Sequence, residues 1–147
     1  MKAREELVIR LAEKRRAALG SMSDGAFDEL KRAVQDAPES FIDTPADQAF
    51  YLVCKAIERF DEDSRNDDAL DDVAYLRARQ LRHMRMGSDC EQILAVDPAC
   101  TDARLLKAIA ENDNAEVLLG ILLDMEDELA VGEDAWTDVL LRPQLRV

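Results

Sequence analysis

The stretch "TPADQAFYLVCKAIERF", residues 44–60, constrains this chain more than any other. Its apolar residues Ala46, Ala49, Phe50, Val53, Cys54, Ile57 and Phe60 follow one another in steps of three and four. That is the spacing of one face of an α-helix. Thr44 supplies a capping hydroxyl. Pro45 suits the first helical position, where its missing N–H has no intrahelical use, and Asp47 falls near the positive end of the helix dipole. So wide an apolar face has to be covered by the rest of the chain. No stretch alternates apolar and polar residues over a useful strand length. With only five Gly and four Pro, and much Ala, Leu, Glu, Asp and Arg, the cover is expected to be further helices. The expectation is an all-α fold of about seven or eight helices in one domain, 1–147. At 147 residues such a domain buries roughly two-thirds of its unfolded surface and needs no disulfide or metal.

Periodicity and punctuation place the other helices. Residues 3–19 form a loosely amphipathic helix carrying Leu7, Ile9, Leu11 and Leu19 that Gly20 ends. Ser23 and Asp24 open a second, to about Ala37, with Phe27, Leu30, Ala33 and Val34 on one stripe, and Pro38 stops it. A fourth begins near Asn66 or Asp67, carries Leu70, Val73, Ala74, Ala78 and Leu81, and ends at Gly87. Ser88 and Glu91 make a capping box for a short fifth, closed by Pro98. Thr101 caps a sixth, to about Glu111. Asn114 caps a seventh, with Ala115, Leu118, Leu119, Leu122, Met125 and Leu129 inward. A last helix runs from Glu133 to Leu141.

Asp97-Pro98 stands between two of these segments. Proline after a last turn forbids continuation, because it has no N–H to give and its ring clashes with the preceding turn. Asp97 before it is biased out of the α region. The stretch "ILAVDPACTDARLL" resembles the junction between tetratricopeptide repeats, where a helix ends in an Asp-Pro turn and the next begins a few residues later. A 34-residue frame laid back from Pro98 starts at Asp67. Leu70, Val73 and Ala74 then fall on positions that suit the family. Arg77, Met86, Cys90 and Ile93 depart from it, and Gly87 interrupts the second helix of the repeat. The following repeat keeps Ala103 and Ala108. Trp136, Arg142-Pro143 and Leu145-Arg146 look like the entry to another helical repeat, so the chain reads as an N-terminal or capping part of a longer protein. The resemblance implies antiparallel hairpins in a right-handed superhelix, with a compact helical bundle as the alternative. It also implies a non-enzymatic module whose groove takes a peptide or helix of a partner protein. First helices of repeats line such a groove, which points to Arg77, Gln80, Arg104 and Lys107 as its polar contacts.

Charge narrows the partners. A formal charge of −13 repels nucleic acid phosphate and anionic membrane, so neither is expected as a partner. The beginning of the chain departs from this balance: Lys/Arg at positions 2, 4, 10, 14, 15 and 16 face Glu at 5, 6 and 13. That helix is suited to dock on the acidic body or on an acidic partner. Residues 1–16 have no apolar stretch of the kind a secretory leader needs, and the longest apolar run, "VLLGILL" at 117–123, is too short to span a bilayer. Cys54, Cys90 and Cys100 form no CxxC or Cys/His pair, which argues against zinc and for reduced thiols in a cytoplasm.

Catalytic and metal signals are weak. The acidic run "DEDSRNDDALDD", 61–72, departs from a calcium loop at Arg65, at Asn66 where a glycine is needed, and at its last ligand. It reads as a solvated helix start. His83 lies between Arg82 and Arg85, and Cys54 lies on the apolar stripe of the third helix. No Gly-rich phosphate loop, nucleophile elbow or HExxH is present. No enzyme activity and no cofactor are expected. An oligomerising bundle is the alternative function. It would self-associate through the apolar C-terminal helices, with Val117, Ile121 and Leu123 off the main stripe of the seventh helix and the region around Trp136 beside them.

Overall fold

A computed structural model describes residues 2–65, 67–112, 115–131 and 136–137. The described residues are helical and contain no strand. The α-helices are α1 (Lys2–Leu19), α2 (Asp24–Asp36), α3 (Pro45–Ser64), α4 (Asp72–Val96), α5 (Thr101–Glu111) and α6 (Ala115–Met125). Short 3₁₀ turns occupy Pro38–Phe41, Asp67–Ala69 and Glu126–Glu128. The all-α class holds, with six α-helices among the described residues against the seven or eight expected of the whole chain. The helix expected at 133–141 falls almost wholly outside the described residues.

The core is organised around α3. Thr44 Oγ1 accepts from Asp47 N at 3.2 Å, so the cap forms where expected. Ala49, Phe50, Val53, Cys54, Ile57 and Phe60 are buried, and Ala46 alone of the predicted set is exposed. The helix packs against α1, α4 and α5. α1 inserts Leu7, Val8, Leu11 and Ala12, while Ile9 and Leu19 face solvent. Its basic residues tie it to the acidic body: Arg4 Nη2 donates to Glu58 at 3.0 Å, and Arg10 (3.0 Å) and Lys14 both hold the buried Asp47. Arg10, Arg15 and Arg16 lie over Phe50, Phe41 and Phe27, adding cation–π contact. Gly20 ends α1 at φ 91°, a left-handed conformation that glycine adopts without strain.

α2 begins at Ser23, whose Oγ accepts from Ala26 N at 3.2 Å, but it buries only Val34. The chain then returns through Pro38–Phe41, where Tyr51 donates its hydroxyl proton to Glu39. This bond holds the Glu39 carboxyl below its ordinary range and raises the Tyr51 phenol. A carboxyl lowered on folding stabilises the fold above its unfolded pKa and loses that contribution as pH falls through the folded value. Tyr51→Phe is therefore expected to be less stable than the parent at neutral pH. The difference should close below about pH 4, near the ordinary carboxyl range. Denaturant midpoints of both proteins across pH 3–8 measure it. A difference constant with pH would mean that the bond does not form in solution.

α4 departs most from expectation. It is one helix of 25 residues running through Gly87, so the predicted fourth and fifth helices are one element. Ser88 and Glu91 lie inside it and cap nothing. A single interior glycine costs about 1 kcal/mol, less than the burial of Met86, Cys90 and Ile93 around it supplies. A Cβ at Gly87 would sit 3.9 Å from Ala110 Cβ, an ordinary contact, so the residue marks where α4 and α5 pack closely. Asp71, not Asn66 or Asp67, is the N-cap, its Oδ1 accepting from Ala74 N at 2.8 Å. The 34-residue frame from Asp67 calls for two helices within 67–100; that span holds a 3₁₀ turn and one continuous helix. The hairpin that does form joins α4 to α5 at Asp97-Pro98. There Asp97 Oδ1 accepts from Ala99 N and its carbonyl from Cys100 N, each at 3.1 Å. Cys100 holds the cap position and Thr101 is the first residue of α5.

Candidate interaction surface

At 1.5 Å per residue α4 is about 37 Å long and α5 about 16 Å. Gly87 meets Ala110 near the end of α5, so α5 covers only the second half of α4. The first half is held from the α3 side. Arg82 Nη1 reaches both carboxylate oxygens of Asp67, at 2.9 and 3.0 Å, and its guanidinium lies 5.6 Å from the Phe60 ring centre. Arg85 pairs with Asp63 at 2.7 Å.

With Arg82 inward, the opposite side of α4 faces solvent. At about 100° per residue, Val73, Leu76, Arg77, Gln80 and Met84 fall on one stripe, with Leu81 at its edge. Val73 is 68% exposed, Leu76 56%, Leu81 53% and Met84 71%. These are large apolar side chains at i, i+3 and i+4 spacing, and scattered surface apolar residues do not show that order. Residues 73–88 also carry four Arg and no acidic residue, on a chain whose balance is −13.

The four residues expected to line a groove are all exposed. Arg77 and Gln80 lie on this stripe. Arg104 and Lys107 lie on the outer side of α5, which ends level with Gly87, about 10 Å along the axis beyond Gln80. They form two separate pairs and do not converge. Of the apolar residues read for this helix, Val73 and Leu81 are surface residues, and Leu70, Ala74 and Ala78 are only half-buried. The inward side of α4 is instead Arg82, Met86, Cys90 and Ile93. Their spacing of four, four and three was a legible signal, hidden because Arg82 is a charged residue that ordinarily faces water.

Other reactive groups serve the fold. Burial raises the Cys54 and Cys90 thiols, and Cys90 Sγ donates to Ala103 O at 3.2 Å. His83 is half-buried on α4. In the acidic run, Asp63 and Asp67 hold arginines and Asp71 caps α4. A groove of about 490 Å³ between α1 and α2 is lined by Arg4, Val8, Lys31 and Arg32 among others. Asp102, at the start of α5, is buried and accepts from Ala130 N (2.7 Å), Val131 N (3.0 Å) and Trp136 Nε1 (3.0 Å). Burial raises its carboxyl, and the three N–H donors pull the other way. Trp136 is fully buried, which removes it from the self-interface expected around it. On α6, Leu118 and Leu122 are buried and Ile121 is half-buried, while Val117 and Leu123 face outward. None of the described helices is long and apolar enough to cross a membrane. No family model, curated protein or solved structure matches the chain.

Proposed function

We propose that this protein is a non-enzymatic protein–protein interaction module whose docking surface is the outward stripe of α4. The observation that carries the reading is the ordered exposure of Val73, Leu76 and Met84, with Arg77 and Gln80 between them. A partner helix reads such a stripe through anchors at helical spacing, with the arginine adding orientation and charge selection. The tetratricopeptide-like character is supported by the Asp97-Pro98 turn between α4 and α5, and the interaction role does not depend on it. Thiols at Cys54, Cys90 and Cys100 suit a reducing cytoplasm.

The test is a direct binding measurement. Protein captured from the native cytoplasm on the wild-type chain is purified and titrated against wild type and Leu76→Glu/Met84→Glu. A charge at two central anchors is expected to weaken binding at least 100-fold, on the order of 3 kcal/mol, while helical circular dichroism is unchanged. Equal affinity of the two proteins would remove α4 as the docking surface.

A further inference from the structure

We infer that the α4 stripe takes the outward face of α6 from a second copy of this chain, in a head-to-tail contact; this rests on the reading of α4 as a docking surface. The two faces complement one another in charge. Of the four Arg in residues 73–88, Arg82 and Arg85 are held by Asp67 and Asp63 and Arg79 is half-buried away from the stripe, so the stripe carries Arg77 and no acid, whereas no basic residue occurs between Lys107 and Arg142. On α6 and the turn that follows, Glu116, Val117, Gly120, Leu123, Asp124 and Asp127 are exposed, and their spacing puts them on one side. Val117 and Leu123, 45% and 58% exposed, supply apolar contact. Gly120 lies between them with nothing within 4 Å of the place a Cβ would take, so a partner side chain can approach the backbone there. Leu76, 56% exposed, projects from the α4 stripe into such a notch. Arg77 at its centre meets Asp124 rather than its own copy, so α4 against α4, which would bring Arg77 near its own copy, is disfavoured.

The contact joins two different faces, so it is heterologous and leaves one unused face at each end of a dimer. This gives a test that a symmetric contact fails. Leu76→Glu spoils only the α4 face and Leu123→Lys only the α6 face; both side chains are exposed, so the fold is retained, checked by circular dichroism. In sedimentation equilibrium the wild-type chain is expected to gain mass with concentration and to lose it with added salt. Each variant alone should remain at 16.5 kDa. An equimolar mixture should give a 1:1 species of twice that mass, because the α4 of one variant and the α6 of the other are both intact. A mixture that stays monomeric while the wild type associates overturns the head-to-tail contact in favour of a symmetric one. A wild-type chain that is monomeric at high-micromolar concentration overturns self-association; if Leu76→Glu/Met84→Glu still weakens binding of a captured protein, the docking role of α4 survives that result.

Discussion

Asp102→Ala is expected to destabilise the protein by about 3–5 kcal/mol and to move the emission of its one tryptophan to longer wavelength. The carboxylate is the shared acceptor for two backbone N–H groups and the Trp136 indole, which lie 28 to 34 residues further along the chain. Removing it leaves buried donors unsatisfied, each costing about 1–3 kcal/mol. Asp102→Asn keeps the shape: its carbonyl oxygen can take the place of Oδ2 and accept from Val131 N and Trp136 Nε1, while its N–H₂ then faces Ala130 N, so it is expected to recover only part of the loss. Because the chain has a single Trp, fluorescence reports this site alone: the indole should redden before far-ultraviolet circular dichroism is lost. The pH dependence runs opposite to that of Glu39. A carboxyl raised on folding contributes stability that is full below its unfolded pKa and lost as pH rises through the folded value. At neutral pH the buried charge therefore works against the fold, and the three hydrogen bonds offset it. An Asp102→Ala protein of wild-type stability would mean that Ala130, Val131 and Trp136 are not held this way.

Breaking the Asp67–Arg82 pair is the second large effect. Both side chains are almost wholly buried, and Arg82 Nη2 has no hydrogen-bond partner among the described residues. Asp67→Leu or Arg82→Met alone strands the opposite charge and should cost about 3–5 kcal/mol. The double variant removes both charges and should regain most of that loss, since apolar replacement of a buried pair is often neutral. A double-mutant cycle in urea measures the coupling. Additive losses would mean that the pair is not formed in solution. Under the docking role proposed for α4 the pair matters a second time, because holding Arg82 against Asp67 and Phe60 turns Val73, Leu76 and Met84 outward. A single variant should therefore weaken binding at the α4 stripe as well as stability.

Much of the fold was legible. α3 could be placed from Thr44-Pro45 and its apolar steps, and α2 from Ser23. The ends of α1 and α4 could be placed from Gly20 and Asp97-Pro98. The candidate surface was legible only in part. Arg77 and Gln80 were named for it from a resemblance, while Val73 and Leu81 were read only as apolar residues of the helix, with no facing. Apolar spacing on a helix shows that a face exists but not which way it points when a second face, here Arg82, Met86, Cys90 and Ile93, competes for the interior. Gly87 misled for a related reason: helix propensity is a small local term, and the packing that overrides it comes from α5, a separate element.

What the sequence by itself determined is local. Caps, a left-handed glycine and an Asp-Pro turn act within four residues of themselves, so helix identity and most helix ends follow from short stretches. What the tertiary structure decided is the facing of α4, its continuity through Gly87, and the joining of Asp102 to Trp136. Each of these depends on which distant groups are available to bury an arginine, a glycine backbone or a carboxylate. A buried polar group is tolerated only where its partners arrive, and those partners lie in elements that no local pattern specifies.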